Sequence, residues 1–147
     1  MKFQNFQDME MWKSAKNLAV IIHKIFSNSR DYLFRDQIER AVITIMNNLA
    51  EGFDRRSDKQ FKYFLFIARG SCAEVRSMAI LGFELGYLKN KDPKIIEDLY
   101  VDISKMIIGM TKYLNRKLTI NDLVLTTNDR DQIFISLIHH SPVATHD

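Results

Sequence analysis

Little in this chain interrupts a helix. Only two prolines and five glycines occur in 147 residues, so long helices can run without the breaks those residues impose. A single cysteine, Cys72, rules out an internal disulfide and fits a reducing compartment. The longest apolar runs reach about five residues, as from Leu18 to Ile22, against the ~20 that a membrane-spanning helix needs. The opening stretch Met1-Lys2-Phe3-Gln4-Asn5-Phe6-Gln7-Asp8 has no apolar core and acquires an acid early, unlike a secretory signal. The expectation is a cytoplasmic protein with no membrane partner. Catalytic signatures are missing as well: no phosphate-binding glycine loop, no nucleophile elbow, no zinc-protease helix and no Glu-x-x-His pair of the kind that builds a metal site in a bundle. The chain reads as a non-enzyme with no metal and no cofactor.

What is present is apolar spacing. Apolar residues make up 46% and charged residues 27%, the balance of a globular domain that can bury a core. Met11, Ala15, Leu18, Ile22 and Ile25 recur at steps of three and four, which predicts a helix from about Asp8 to Ser27. Ile38, Ala41, Val42, Ile45, Leu49 and Phe53 repeat the pattern over about Tyr32 to Arg55. Ser57-Asp58-Lys59-Gln60 is a capping box that starts a third helix, and Gly86 suits its left-handed end. Phe61, Leu65, Ala68, Cys72, Val75 and Ala79 lie on its core face. Asp92-Pro93 opens a fourth, carried by Ile96, Leu99, Ile103, Ile107, Met110 and Leu114 to about Leu118. Short connections between long amphipathic helices favour antiparallel neighbours. The predicted fold is all-α: an up-down-up-down four-helix bundle over residues 1–118, followed by a C-terminal extension over 119–147. In the extension, Ile133, Phe134, Leu137 and Ile138 are read as a short helix in a mobile segment; the same run also suits a strand or a docking peptide, which period does not separate in so short a segment.

Charge is uneven along the chain. Residues 1–118 hold 20 Lys and Arg against 14 Asp and Glu, whereas 119–147 hold one Arg and four Asp. A basic body of this size is compatible with an anionic partner. The basic residues Arg55, Lys59, Lys62, Arg69 and Arg76 follow one side of the third helix at steps of three, four and seven. Two readings stay open, phosphate contact or pairing with acids on a neighbouring helix. Tyr63 and Phe66 point away from the core stripe, suited to stacking on bases or to a protein interface. A second set, Gln37, Arg40, Thr44, Asn48 and Glu51 on helix two with Arg69, Ser71 and Glu74 on helix three, sits close to the core. Buried polar groups must satisfy one another, so these read as a structural network, with Arg40 paired to Glu74 and Thr44 near Arg69. Cys72 lies on the apolar stripe and reads as core rather than nucleophile. His23, His139, His140 and His146 show no ligand spacing.

The run Gln37-Ile38-Glu39-Arg40-Ala41-Val42-Ile43-Thr44-Ile45-Met46-Asn47-Asn48-Leu49-Ala50-Glu51-Gly52 resembles the signature of the four-helix-bundle proteins encoded in intervening sequences of bacterial 23S rRNA genes. Phe61-Lys62-Tyr63-Phe64-Leu65-Phe66-Ile67-Ala68-Arg69-Gly70-Ser71-Cys72-Ala73-Glu74-Val75 supports it, as do Phe6 and Trp12. Thr44 stands where the family tends to have Ser. The resemblance covers residues 3 to about 118 and implies an antiparallel bundle that assembles into a ring-shaped homopentamer. A related bundle is the accessory protein of the reverse transcriptase in diversity-generating retroelements, where it binds nucleic acid and the polymerase. Arg40, Asn48, Glu51, Gly52, Ser71 and Glu74 match the family motif, with Gly52 expected to end or bend the second helix. The functional expectation is a non-enzymatic oligomeric bundle that binds RNA or DNA through basic helix faces, as an accessory to a nucleic-acid enzyme. The alternative is a protein-interaction scaffold whose basic residues are used in salt bridges between subunits.

Overall fold

The computed structural model of the chain describes residues 3–139, with side chains as far as Val124. A short 3₁₀ turn, Phe6–Asp8, leads into four α-helices: α1, Glu10–Phe26; α2, Tyr32–Asp54; α3, Asp58–Glu84; and α4, Asp92–His139. The entry turn is held by the Asp8 carboxylate, which accepts from the Asn5 backbone N–H at 3.0 Å. It drives Met9 fully into the core and sets the Phe6 ring edge-on to Trp12 at 5.1 Å. α1 then buries Met11, Ala15, Leu18, Ile22 and Phe26, an unbroken stripe at the helical period.

α1 packs on α2, α2 on α3, α3 on α4, and α4 returns to α1, while the backbones of the diagonal pairs stay apart among the described residues and share only the central core. That is the up-down-up-down bundle the spacing predicts. Ile38, Ile45 and Leu49 of α2 meet Leu65, Ala68, Cys72 and Val75 of α3 and Ile96, Ile103, Ile107 and Leu114 of α4 in one core.

The loops explain why each helix stops where it does. Asp31 caps α2 by accepting from the Phe34 N–H at 3.0 Å, and it also accepts from the Tyr87 hydroxyl at 2.8 Å. One carboxylate thus ties the α1–α2 turn to the α3–α4 turn, with the Phe34 ring held between Phe26 and Tyr87. The Phe34 N–H first, then the Tyr87 hydroxyl, hold the Asp31 carboxyl below its ordinary range, and Tyr87 is pushed up in return. A depressed carboxyl stabilises the fold at pH values above its unfolded pKa and loses that contribution as pH falls through the folded one. α3 ends in a Schellman motif: Gly86 adopts φ +76°, its N–H reaches the Phe83 carbonyl at 3.0 Å, and the Tyr87 N–H reaches that of Gly82 at 2.8 Å. At the other end Arg56, at φ 55°, turns the chain out of α2, and the Ser57 hydroxyl accepts from the Gln60 N–H at 3.4 Å to start α3.

Two expectations are corrected. Gly52 does not end α2, which continues to Asp54. Its role is steric, because a Cβ there would sit 2.6 Å from the Phe64 Cβ and 3.0 Å from the Phe61 ring. α4 also does not stop near Leu118. It runs on without a break to His139, so the predicted short terminal helix is a continuation of α4; residues 140–147 lie outside the described residues. At 48 residues α4 spans about 70 Å. Among the described residues its last buried side chain is Leu114, and the Lys117–Asp58 ion pair, 2.6 Å long, marks where it leaves the bundle.

Gly52→Ala is expected to cost about 1–3 kcal/mol, the range for overpacking a tight contact. Gly109→Ala, where an added methyl meets nothing within 4 Å, should instead stabilise α4 by up to about 1 kcal/mol. Urea unfolding of the two variants measures both, and equal stability of the Gly52 variant and wild type would refute the steric role.

Candidate nucleic-acid interface

The five basic residues picked out from spacing divide into two groups. Arg55 is not on α3: it caps the end of α2, places its guanidinium 2.5 Å from the Glu51 carboxylate, and lies 5.4 Å from the centre of the Phe64 ring. The positive-φ turn at Arg56 separates it from the α3 face, so the apparent periodicity across residue 56 is accidental. Arg76 lies on α3 but over the Tyr100 ring of α4, 5.5 Å from its centre. Both arginines are engaged within the subunit, Arg55 by an acid of its own helix and Arg76 by an aromatic ring, and neither meets the acid on a neighbouring helix that the pairing reading expected.

Lys59, Lys62 and Arg69 are different. All three are exposed, and none has an ion-pair partner among the described residues. They line a groove of about 1090 Å³ between the first half of α3 and the stretch of α4 from Thr111 to Asp122, on both sides of the Lys117–Asp58 pair. Leu65 forms its floor, and Thr111, Asn115, Thr119 and Asp122 line the facing wall. Tyr63 and Phe66 stand on the basic wall, 62% and 74% exposed. The groove was half legible. Its α3 wall and the Thr111 and Asn115 part of the α4 wall fall within helices that the spacing predicts, whereas Thr119 and Asp122 require α4 to continue past Leu118.

The polar set near the core also resolves differently from expectation. Glu74 accepts from the Gln37 amide at 2.5 Å, whereas Arg40 is exposed and has no ion-pair partner among the described residues. Gln37 is one turn earlier on the same face of α2, and the register of the hairpin brings that residue opposite Glu74. Thr44 is not tied to Arg69. Its hydroxyl donates to the Arg40 carbonyl at 2.7 Å, and the Asn48 amide donates to the Thr44 carbonyl at 2.7 Å. Glu51 is used by Arg55, and Ser71 is buried in the α3 stripe. The set is therefore mostly internal to α2, with the Gln37–Glu74 bond as its link across to α3.

Two further groups, Cys72 and His23, lie apart from the groove. Burial pushes the Cys72 thiol up to about 11, against a hydrogen bond with Ser104 that works the other way, so it stays protonated near neutrality. His23 meets Glu39 at 3.0 Å across α1 and α2. Among the described residues no three His, Cys, Asp or Glu side chains are grouped to hold a metal ion, and no helix is long and apolar enough to cross a membrane.

The family model of the 23S rRNA-intervening sequence protein matches residues 7–109. The chain belongs to this family. No curated protein matches it. The match takes in α1, α2, α3 and α4 as far as Gly109, so within this 23S rRNA-intervening sequence protein fold the basic wall of the groove lies inside the matched region and the facing wall, from Thr111 onward, lies outside it. The motif residues Asn48, Glu51 and Gly52 fall where α2 meets α3, and Gly52 sets how closely the two helices approach.

A double-mutant cycle tests the corrected partnership. Gln37→Ala with Glu74→Ala should show a coupling of about 1 kcal/mol, the scale of a partly exposed hydrogen bond to a carboxylate. Arg40→Ala with Glu74→Ala should show almost none, and the reverse ranking would restore the ion pair.

Proposed function

We propose that this protein is a non-enzymatic, oligomeric helical bundle that binds RNA or DNA through the basic wall of the α3–α4 groove, as an accessory to a nucleic-acid enzyme. The observation that carries the reading is the trio Lys59, Lys62 and Arg69: three exposed cations without acid partners, on one face of one helix. Positive charge that is not neutralised within the subunit is available to phosphates, whose contacts supply most sequence-independent affinity. Arg55 and Arg76 are left out of the interface because each already has a partner.

Binding to a labelled oligonucleotide should weaken steeply with salt, losing close to one unit of log–log slope for each phosphate neutralised on duplex DNA. Lys59→Glu combined with Lys62→Glu should weaken binding strongly and flatten the slope, with helical content unchanged, since acids in the first turns of α3 suit the helix dipole. Wild-type binding that ignores salt, or a double variant that binds as well as its parent, removes the reading.

Assembly is proposed on separate grounds. Leu33 is 83% exposed at the start of α2, and Leu81, Phe83 and Leu85 are exposed at the end of α3. In an antiparallel hairpin these lie at the same end of the bundle, away from the basic groove. Apolar surface of this kind seeks a partner, and a closed ring of five subunits covers it. The scaffold reading shares this feature and differs only in denying the nucleic acid. Light scattering at micromolar concentration should give about five times the chain mass, and Leu33→Glu with Phe83→Glu should reduce it; a monomeric wild type contradicts the ring.

A further inference from the structure

We propose that the α3–α4 groove takes a single strand, with bases stacked on Tyr63 and Phe66 and phosphates held along Lys59, Lys62 and Arg69. This rests on the nucleic-acid reading above and goes beyond it, because cations alone do not distinguish a single strand from a duplex.

The rings make the distinction. Tyr63 follows Lys59 by four residues, and Phe66 stands four after Lys62 and three before Arg69, so rings and cations interleave on one helix face. Both rings line the same groove as the cations and are more than half exposed. A duplex turns its phosphates outward and keeps its base faces stacked inside, so it would leave these rings against sugar and phosphate. A single strand offers a π-face with every base, and stacking on an aromatic side chain is largely indifferent to sequence. From Lys59 to Arg69 the helix advances about 15 Å, the length of about four stacked nucleotides at 3.4 Å each.

The facing wall sets the orientation. Asp122 lies at the far rim, where its carboxylate repels phosphates and keeps the backbone on the α3 side. The base edges then point to α4, toward the exposed Asn115 amide, which carries both donors and an acceptor. The Thr111 and Thr119 hydroxyls donate back to their own helix and retain only acceptor capacity. A second copy of this chain is the poorer occupant, since a ring joins two different faces of the subunit and the apolar residues proposed for that contact, Leu33, Leu81, Phe83 and Leu85, lie toward the other end of the bundle.

The test uses the full chain with four probes at one salt concentration: oligothymidylate, oligouridylate, a blunt DNA duplex, and an abasic strand that keeps the phosphates without the bases. Wild type should bind both base-bearing single strands more tightly than the duplex or the abasic strand. Tyr63→Leu and Phe66→Leu, which keep apolar bulk but lose the ring at exposed positions, should each weaken oligothymidylate binding about tenfold. Neither should change the salt slope or the affinity for the abasic strand. Lys59→Gln with Lys62→Gln should weaken all four. If the lysine variant weakens binding while the ring variants do not, or the abasic strand binds as well as oligothymidylate, stacking is refuted and the phosphate reading survives. If no probe binds wild type at low salt, both fall. If Phe66→Leu lowers the assembly mass and leaves binding intact, the face is an interface between copies and the single-strand proposal is overturned.

Discussion

At Gly52 the α2 and α3 backbones approach more closely than any side chain allows, since a methyl there would lie 2.6 Å from the Phe64 Cβ. Much of the molecule follows from that contact. It closes the hairpin at one end, and the Gln37–Glu74 hydrogen bond fixes it farther along. Once α3 is pinned in rotation by these two contacts, its core face is committed to Leu65, Ala68, Cys72 and Val75. The opposite face, with Lys59, Lys62, Tyr63 and Phe66, is left outside. A rotation of α3 by one residue would turn the aromatics toward a helix neighbour and carry part of the apolar stripe out of the core, so the position of the groove is a consequence of packing at Gly52.

The two ends of the bundle are held by different chemistry. At one end Asp31 and Tyr87 join both loops through a hydrogen bond flanked by Phe26 and Phe34. At the other, Lys117 and Asp58 hold α4 to the start of α3, and α4 then continues past its neighbours. Leu33, Leu81, Phe83 and Leu85 are exposed toward the first end, and Lys59, Lys62 and Arg69 stand with the exposed rings of Tyr63 and Phe66 toward the second. The surfaces proposed for assembly and for phosphate contact therefore lie apart on the bundle.

How much the sequence reveals depends on whether a feature is local or relational. The helical stripes are local. Residues such as Leu18, Ile38 and Ile103 repeat at the helical period and all are fully buried, and the Ser57 and Gly86 caps depend on neighbours a few residues away. Partner choice between helices is relational. Gln37 and Arg40 stand one turn apart on the same face, and which of them meets Glu74 is decided by helix crossing and by the turn at Arg56, neither of which leaves a periodic trace. The same turn explains Arg55, whose spacing matches α3 although it belongs to α2. The continuation of α4 was hidden for another reason: beyond Leu114 no described residue is fully buried, so the pattern that reveals amphipathic helices is missing even though the helix persists.

That persistence lengthens the groove's second wall. Thr111 and Asn115 face the α3 cations from within the bundle, and Thr119 and Asp122 extend the wall beyond the Lys117–Asp58 pair, with buried Leu65 beneath. A ring of such subunits would present one channel per subunit, and a strand engaged in one would bind the next at high effective concentration, provided its length spans the gap. Three cations per groove would then suffice for affinity that a single subunit does not reach.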